Sequence, residues 1–189
     1  MKNYLRIHKK IGSYSKSIQV SGDKSISIRC VLLASQAIGK SKIFNLLESE
    51  DVINSLNSIK RLGIKYKKFK NYYEIYGFGI RGFKTKKKVT IDAGNSGTLA
   101  RLIIGLLVDS EREIKIIGDK SLSKRDFSRV TDPLKLFGPN IISNKNKLPV
   151  KITGSNYLRP IKYREHLGSA QCKSSVMLAA LKNTWNYNY

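Results

Sequence analysis

The charged residues of this sequence are short of acid: 13 Asp and Glu stand against 36 Lys and Arg, a formal net charge of +23 over 189 residues. The imbalance suits nucleic acid, an anionic membrane surface or small anionic substrates. Cysteine is nearly absent. Cys30 and Cys172 lie far apart, each in an apolar helix-like context, so a disulfide framework is excluded and reduced thiols of a cytoplasmic protein are expected. The two histidines, His8 and His166, have no Cys or carboxylate at ligand spacing, so no metal site is expected. Long apolar runs are missing too. LIIGLLV (102–108) is too short to span a bilayer and MKNYLRIHKK is unlike a signal peptide, so no membrane association is expected.

What is there begins with the basic residues themselves. They are spread along the chain, as in KYKKFK (65–70) and KTKKK (84–88), together with abundant Ile, Asn and Tyr. All these residue types have AT-rich codons, and charge runs of this kind read first as solvated faces. With 41% hydrophobic residues the chain can bury a core.

Self-similarity is the more informative feature. SGDKSISIRCVLLASQA (21–37), DAGNSGTLARLIIGLLV (92–108) and HLGSAQCKSSVMLAAL (166–181) each place a glycine and small polar residues before a helical apolar pattern. Gly22, Gly94 and Gly168 are 72 and 74 residues apart (94 − 22, 168 − 94). Later landmarks keep step. SEDVINSLNSIKRLGI (49–64) has the spacing of an amphipathic helix ending at Gly63, and SRVTDPLKLFGPNI (128–141) ends in the same way at Gly138. Short alternating strands follow, YYEIYG (72–77) and PVKITG (149–154). The implied unit is βαβαββ. Two complete units are expected, with a third opening near Arg159 and breaking off in LKNTWNYNY (181–189). Because that unit would leave apolar surface uncovered, a truncated chain is expected.

Each opening sets backbone N–H groups and small residues at a helix N-terminus, which favours an anion. In the first, Lys24, the hydroxyls of Ser25 and Ser27, and Arg29 one turn beyond Ser25 suit phosphate or carboxylate. The competing reading is a helix merely capped by Asp23 or Ser25, with Lys24 and Arg29 in solvent. In the second, GNSGT (94–98) lets a ligand approach the backbone or forms an ordinary tight turn. GDKSLSKRDFSRVTDPL (118–134) adds Lys124, Arg125 and Arg129 in a loop before a helix. In the third, Ser169 and Gln171 both donate and accept hydrogen bonds.

GDKSISIR, DAGNSGTLARL, GDKSLSKRDFSRVTDPL and GSAQCKSSVMLAAL, in this order, resemble 5-enolpyruvylshikimate-3-phosphate synthase over about residues 15 to 182. The resemblance implies two globular domains of three βαβαββ units each, in an α/β fold of pseudo-threefold symmetry. It implies transfer of the enolpyruvyl group from phosphoenolpyruvate to shikimate 3-phosphate with release of phosphate, without metal or cofactor, as a step of aromatic amino acid biosynthesis. On the same ground Lys24, Ser25, Arg29, Ser169, Ala170 and Gln171 contact shikimate 3-phosphate. Gly97 and Arg125, with Lys24 and Gln171 shared, face phosphoenolpyruvate. Residues 1–14 fall to a strand or hinge of the second domain, 15–182 to the first domain and 183–189 to a frayed tail. No residue here is assigned as catalytic, since the family's acid/base groups lie beyond Tyr189, and this chain alone is expected to be inactive.

Three positions depart from the family pattern. Ile28 stands where His is common, Ser21 where Pro is common, and Asp126 follows Arg125 where Pro is common; an acid there could weaken anion binding. UDP-N-acetylglucosamine enolpyruvyl transferase, which shares the fold, usually has Asn after its first lysine and a loop cysteine; here Ser25 follows Lys24 and 118–134 has no Cys. A basic nucleic-acid-binding protein is the alternative of another class, set aside for want of RNA-type aromatic motifs or a recognition helix. The partners expected are therefore small anionic substrates, with neither membrane nor nucleic acid, bound by a cytoplasmic monomer.

Overall fold

The computed structural model describes residues 6, 8, 12–83, 85, 87–166 and 168–183. Most of the 1–14 segment and of the 183–189 tail, both singled out in the sequence, lies outside the described residues.

The first helix, α1 (Lys24–Gln36), starts where Asp23 accepts a hydrogen bond from the Ile26 N–H at 2.7 Å. It buries Ile28, Val31 and Leu32. Strand β1 (Ile38–Phe44) follows, then α2 (Glu50–Arg61), which has Glu50 and Asp51 in its first turn and Lys60 and Arg61 in its last. That charge order complements the helix dipole. Gly63, at φ 92°, ends the helix in the left-handed conformation that glycine adopts at least cost. Strands β2 (Lys65–Lys68) and β3 (Tyr72–Phe78) complete an antiparallel sheet of order β1-β3-β2.

The second unit carries all six elements: β4 (Val89–Asp92), α3 (Gly97–Leu106), β5 (Ile114–Ile117), α4 (Ser128–Lys135), β6 (Asn140–Asn144) and β7 (Lys147–Thr153). β4 and β5 pair in parallel across α3, and the sheet order is β4-β5-β7-β6. In β7 the buried Leu148, Val150 and Ile152 alternate with exposed residues, the period of a half-buried strand. The third opening gives α5 (Ala170–Ala180).

The helices interlock. α2 packs on both α1 and α3, and α4 on both α3 and α5. α3 and α5 approach most closely at Gly105, where an added Cβ would lie 2.2 Å from the Ser175 carbonyl oxygen. One continuous core runs from Ile28 to Ala179.

The expectation of two complete units needs correction. Residues 14–22 form no strand, although Ile18 and Val20 have the right alternation; both are exposed, so no burial holds a ladder against β1. The segment lies against the turn after β1, where Asn45 donates to the Val20 carbonyl at 3.4 Å and Gly22 sits against the Asn45 carbonyl. Residues 159–165, where a third opening strand was expected, also lack one.

Candidate functional site

Arg101 of the second opening and Arg125 of the loop before α4 converge on Gly97, the first residue of α3. A Cβ added there would meet the Arg101 guanidinium at 2.7 Å and that of Arg125 at 3.0 Å, so both side chains as placed close over the glycine and would have to shift for any larger residue. Ser96 caps the helix, accepting from the Leu99 N–H at 3.3 Å. Arg101, one turn further on, lies 5.2 Å from the centre of the Phe127 ring. Its burial lowers the guanidinium pKa; the like charges of Arg125 and Arg129 push the same way, against opposing contributions from Cys172 and Asp126. A bound anion would relieve that repulsion.

Gln171, in the first turn of α5, is locked to the same place. Its carbonyl oxygen accepts from Arg101 at 2.9 Å, and its amide donates to the Thr98 hydroxyl at 3.0 Å. Ser169 caps α5 through the Cys172 N–H at 3.3 Å, with Ala170 as the first helical residue. The Ser175 hydroxyl donates to the Arg101 carbonyl at 2.8 Å, tying the two helices below the site.

Arg125 is exposed and donates to the Asn95 side chain at 3.0 Å. Asp126 turns away from it, accepting from the backbone N–H of Ser128 at 2.7 Å and from the Ser128 hydroxyl. Those bonds lower the Asp126 pKa, and the acid is spent on the start of α4. Of the neighbouring cations, Lys124 ends the short 3-10 turn Leu122–Lys124 and Arg129 lies within α4, not in the loop before it.

The first opening is arranged differently. Lys24 pairs with Asp51 at 3.0 Å, and its side chain is 52% exposed. Arg29 does share a face with Ser25, donating to the Ser25 carbonyl at 3.2 Å. Ser27 is corrected from ligand candidate to structural residue, because it is buried and its hydroxyl accepts from the Leu47 N–H at 3.1 Å. Ile28 is fully buried, a core side chain in this chain.

The two openings meet through α2, since a Cβ at Gly94 would lie 2.4 Å from the Asn54 amide nitrogen. The structure thus brings Gly97, Arg125 and Gln171 together and leaves Lys24, Ser25 and Arg29 on the adjoining α1. Sequence reasoning missed Arg101 and Thr98. Arg101 could have been found, for it is the lone charge in the apolar helix GTLARLIIGL. Neither cysteine forms a disulfide, and no group of three His, Cys, Asp or Glu among the described residues could hold a metal ion. No described helix is long and apolar enough to cross a membrane.

Comparison with known proteins gives one family. Residues 8–186 match the model described as EPSP synthase (3-phosphoshikimate 1-carboxyvinyltransferase). Among similar curated proteins, the 3-phosphoshikimate 1-carboxyvinyltransferase of Streptococcus mutans is 38% identical over 180 residues, 94% of this chain and 42% of that protein. The enzyme of the same name from Ruthia magnifica is 43% identical over 173 residues, 92% of this chain and 40% of its own length. Among solved structures, EPSP synthase from Acinetobacter baumannii superposes with a TM-score of 0.81 at 35% identity, covering 88% of this chain and 38% of that one. The chain therefore spans well under half the length of the relatives it matches.

Proposed function

The chain belongs to the EPSP synthase family, and from that premise we propose that it supplies one wall of an enolpyruvyl-transfer site for shikimate 3-phosphate and phosphoenolpyruvate. The observation that carries the reading is the pair of guanidiniums, Arg101 and Arg125, meeting over Gly97 at a helix N-terminus beside Gln171. Two cations held that close favour a doubly charged anion between them.

In this reading Gly97, Arg125 and Gln171 face phosphoenolpyruvate. Lys24, Ser25 and Arg29, with Ser169, Ala170 and Gln171, hold shikimate 3-phosphate. Lys24 reaches both anions by exchanging Asp51 for substrate. In the reaction a hydroxyl of shikimate 3-phosphate adds to the enolpyruvyl carbon, the carbon–oxygen bond to phosphate breaks and inorganic phosphate leaves. The arginines stabilise charge on the departing phosphate, and no metal or organic cofactor takes part.

Proton transfer to and from the reacting methylene carbon needs a positioned acid/base group. Three carboxylates of the openings and their flanking loops are engaged otherwise: Asp51 with Lys24, Asp126 with Ser128 and Asp92 with the Gly94 N–H. The chain by itself therefore binds without turning over. Residues 15–182 act as one folded domain, a cytoplasmic monomer in this reading.

The test is calorimetric titration of the purified chain with shikimate 3-phosphate, alongside a phosphate-release assay with both substrates. Weak binding and no phosphate release are expected. Failure to bind shikimate 3-phosphate even at millimolar concentration would refute the reading, and release dependent on both substrates would refute the inactivity.

A further inference from the structure

The outer face of the first sheet is built from aromatic rings and lysines. β3 buries Tyr73 and Ile75 against α1 and turns Tyr72, Tyr76 and Phe78 outward. On β1, the register sets Phe44 opposite Tyr72 and Lys42 opposite Glu74; on β2 it sets Lys67 opposite Glu74. Phe69 stacks on Tyr72 at 4.7 Å with 12° between the ring planes, and Phe44 lies 5.3 Å from the same ring. Lys42 sits 5.1 Å above Tyr72. At the end of this cluster opens a cleft of about 550 Å³ whose lining includes Phe44, Phe69 and Tyr72 together with Asn45, Asn71 and Lys70; Glu48, the one acid in that lining, is paired with Lys68 at 2.6 Å.

Composition alone does not account for this arrangement. A bias that merely enriched the chain in Tyr, Phe and Lys would treat both sheets alike, yet the strands β4 to β7 contain no aromatic residue. The single acid on the first sheet's outer face, Glu74, is already paired with Lys40 at 3.4 Å and accepts from the Tyr76 hydroxyl at 2.6 Å. Lys42, Lys67 and Lys70 therefore leave a positive surface around an open aromatic stack.

We propose that this face binds single-stranded RNA. Exposed rings on an antiparallel sheet stack unpaired bases, and lysines beside them track the phosphates. Side-chain amides such as those of Asn45 and Asn71 can hydrogen-bond base edges and the ribose 2′-hydroxyl, which distinguishes RNA from DNA. A duplex keeps its base faces inside and cannot use the rings. The face lies on the side of the sheet away from α1, so it is separate from the anion site at Gly97, and the inference does not depend on the reading of that site.

The test is fluorescence anisotropy of the full chain with a labelled 12-nucleotide uridine-rich RNA, its DNA counterpart and a duplex RNA of equal length, with heparin as competitor. Single-stranded RNA should bind tightest. Raising salt from 50 to 200 mM should weaken it about twentyfold, as expected when about three phosphates on a single strand are neutralised. Phe44→Ala or Phe69→Ala should cost about tenfold in RNA affinity while leaving heparin binding unchanged. Photocrosslinking of the wild-type chain should map to Phe69 or Tyr72, a readout that holds even where a variant folds poorly. Equal affinity for RNA, DNA, duplex and heparin, or RNA binding indifferent to both aromatic substitutions, would overturn the proposal, as would crosslinks confined to other elements.

Discussion

The first two repeats each set an acid near a candidate ligand cation, Asp51 against Lys24 and Asp126 directly after Arg125. They use it in opposite ways. Asp51 reaches back to Lys24, whereas Asp126 turns forward to the start of α4 and leaves Arg125 to a neutral partner, Asn95. The second site is also knitted into buried structure through Arg101, Gln171 and the close helix crossing at Gly105, while in the first Lys24 is half-exposed at the start of α1 and Arg29 bonds only within its own helix, to the Ser25 carbonyl. One repeat thus holds its candidate anion-binding side chains in a fixed network, and the other holds its lysine in an ion pair, which under the proposed function substrate would have to open.

The comparison breaks most readily at the helix crossing. Gly105→Ala drives a methyl group to 2.2 Å from the Ser175 carbonyl, and the variant should lose about 3 kcal/mol of stability in thermal or urea denaturation. A small effect there would mean that α3 and α5 are not locked, and the claim of a fixed network would go with it. Arg101→Met leaves the Gln171 carbonyl without its partner and should cost about 2 kcal/mol in the same measurement, with anion binding lost as well. Arg125→Ala separates the two properties: melting should barely change, since the residue is exposed, while affinity for phosphoenolpyruvate with shikimate 3-phosphate present falls by about 1.5 to 2 kcal/mol in calorimetry.

The first repeat should respond weakly. Asp51→Asn removes an ion pair between a half-exposed lysine and a largely covered carboxylate and should shift stability by no more than about 1 kcal/mol. It also frees Lys24, so shikimate 3-phosphate should bind more tightly; weaker binding would show that Asp51 positions the lysine instead of competing for it. The smallest effect concerns acid. The Asp126 pKa is lowered in the fold, so its contribution is present above the unfolded-state pKa and is lost as pH falls through the lower folded value. Melting curves of the wild type and Asp126→Asn should converge at the acid end of that window.

Much of this was legible in the residues. Helices were expected near Ser25, Gly97 and Ser169, and they begin at Lys24, Gly97 and Ala170. Glycine followed by small polar residues and an apolar helical period is a local signal, read without tertiary knowledge. The same holds for α2, β3 and β7, whose periods show in the sequence. Residues 14–22 were not legible, because a strand exists only where a partner buries it, and Ile18 and Val20 have no such cover. Arg101 was overlooked for a related reason: its distance along the chain from Gln171 hides a contact that only the packing of two helices creates.

That absent opening strand leaves β1 as a sheet edge. Among the described residues β1 pairs with β3 alone, so its other side shows open backbone donors and acceptors, next to an Ile38 that is 92% exposed. Such an edge is a template for another copy of the same strand, and the hazard is self-association rather than loss of fold. The sequence IGKSKIF interrupts its apolar residues with Lys40 and Lys42, so stacking one edge on another brings like charges together. These two lysines thereby oppose edge-to-edge pairing, and neutralising both would remove that charge repulsion from the edge.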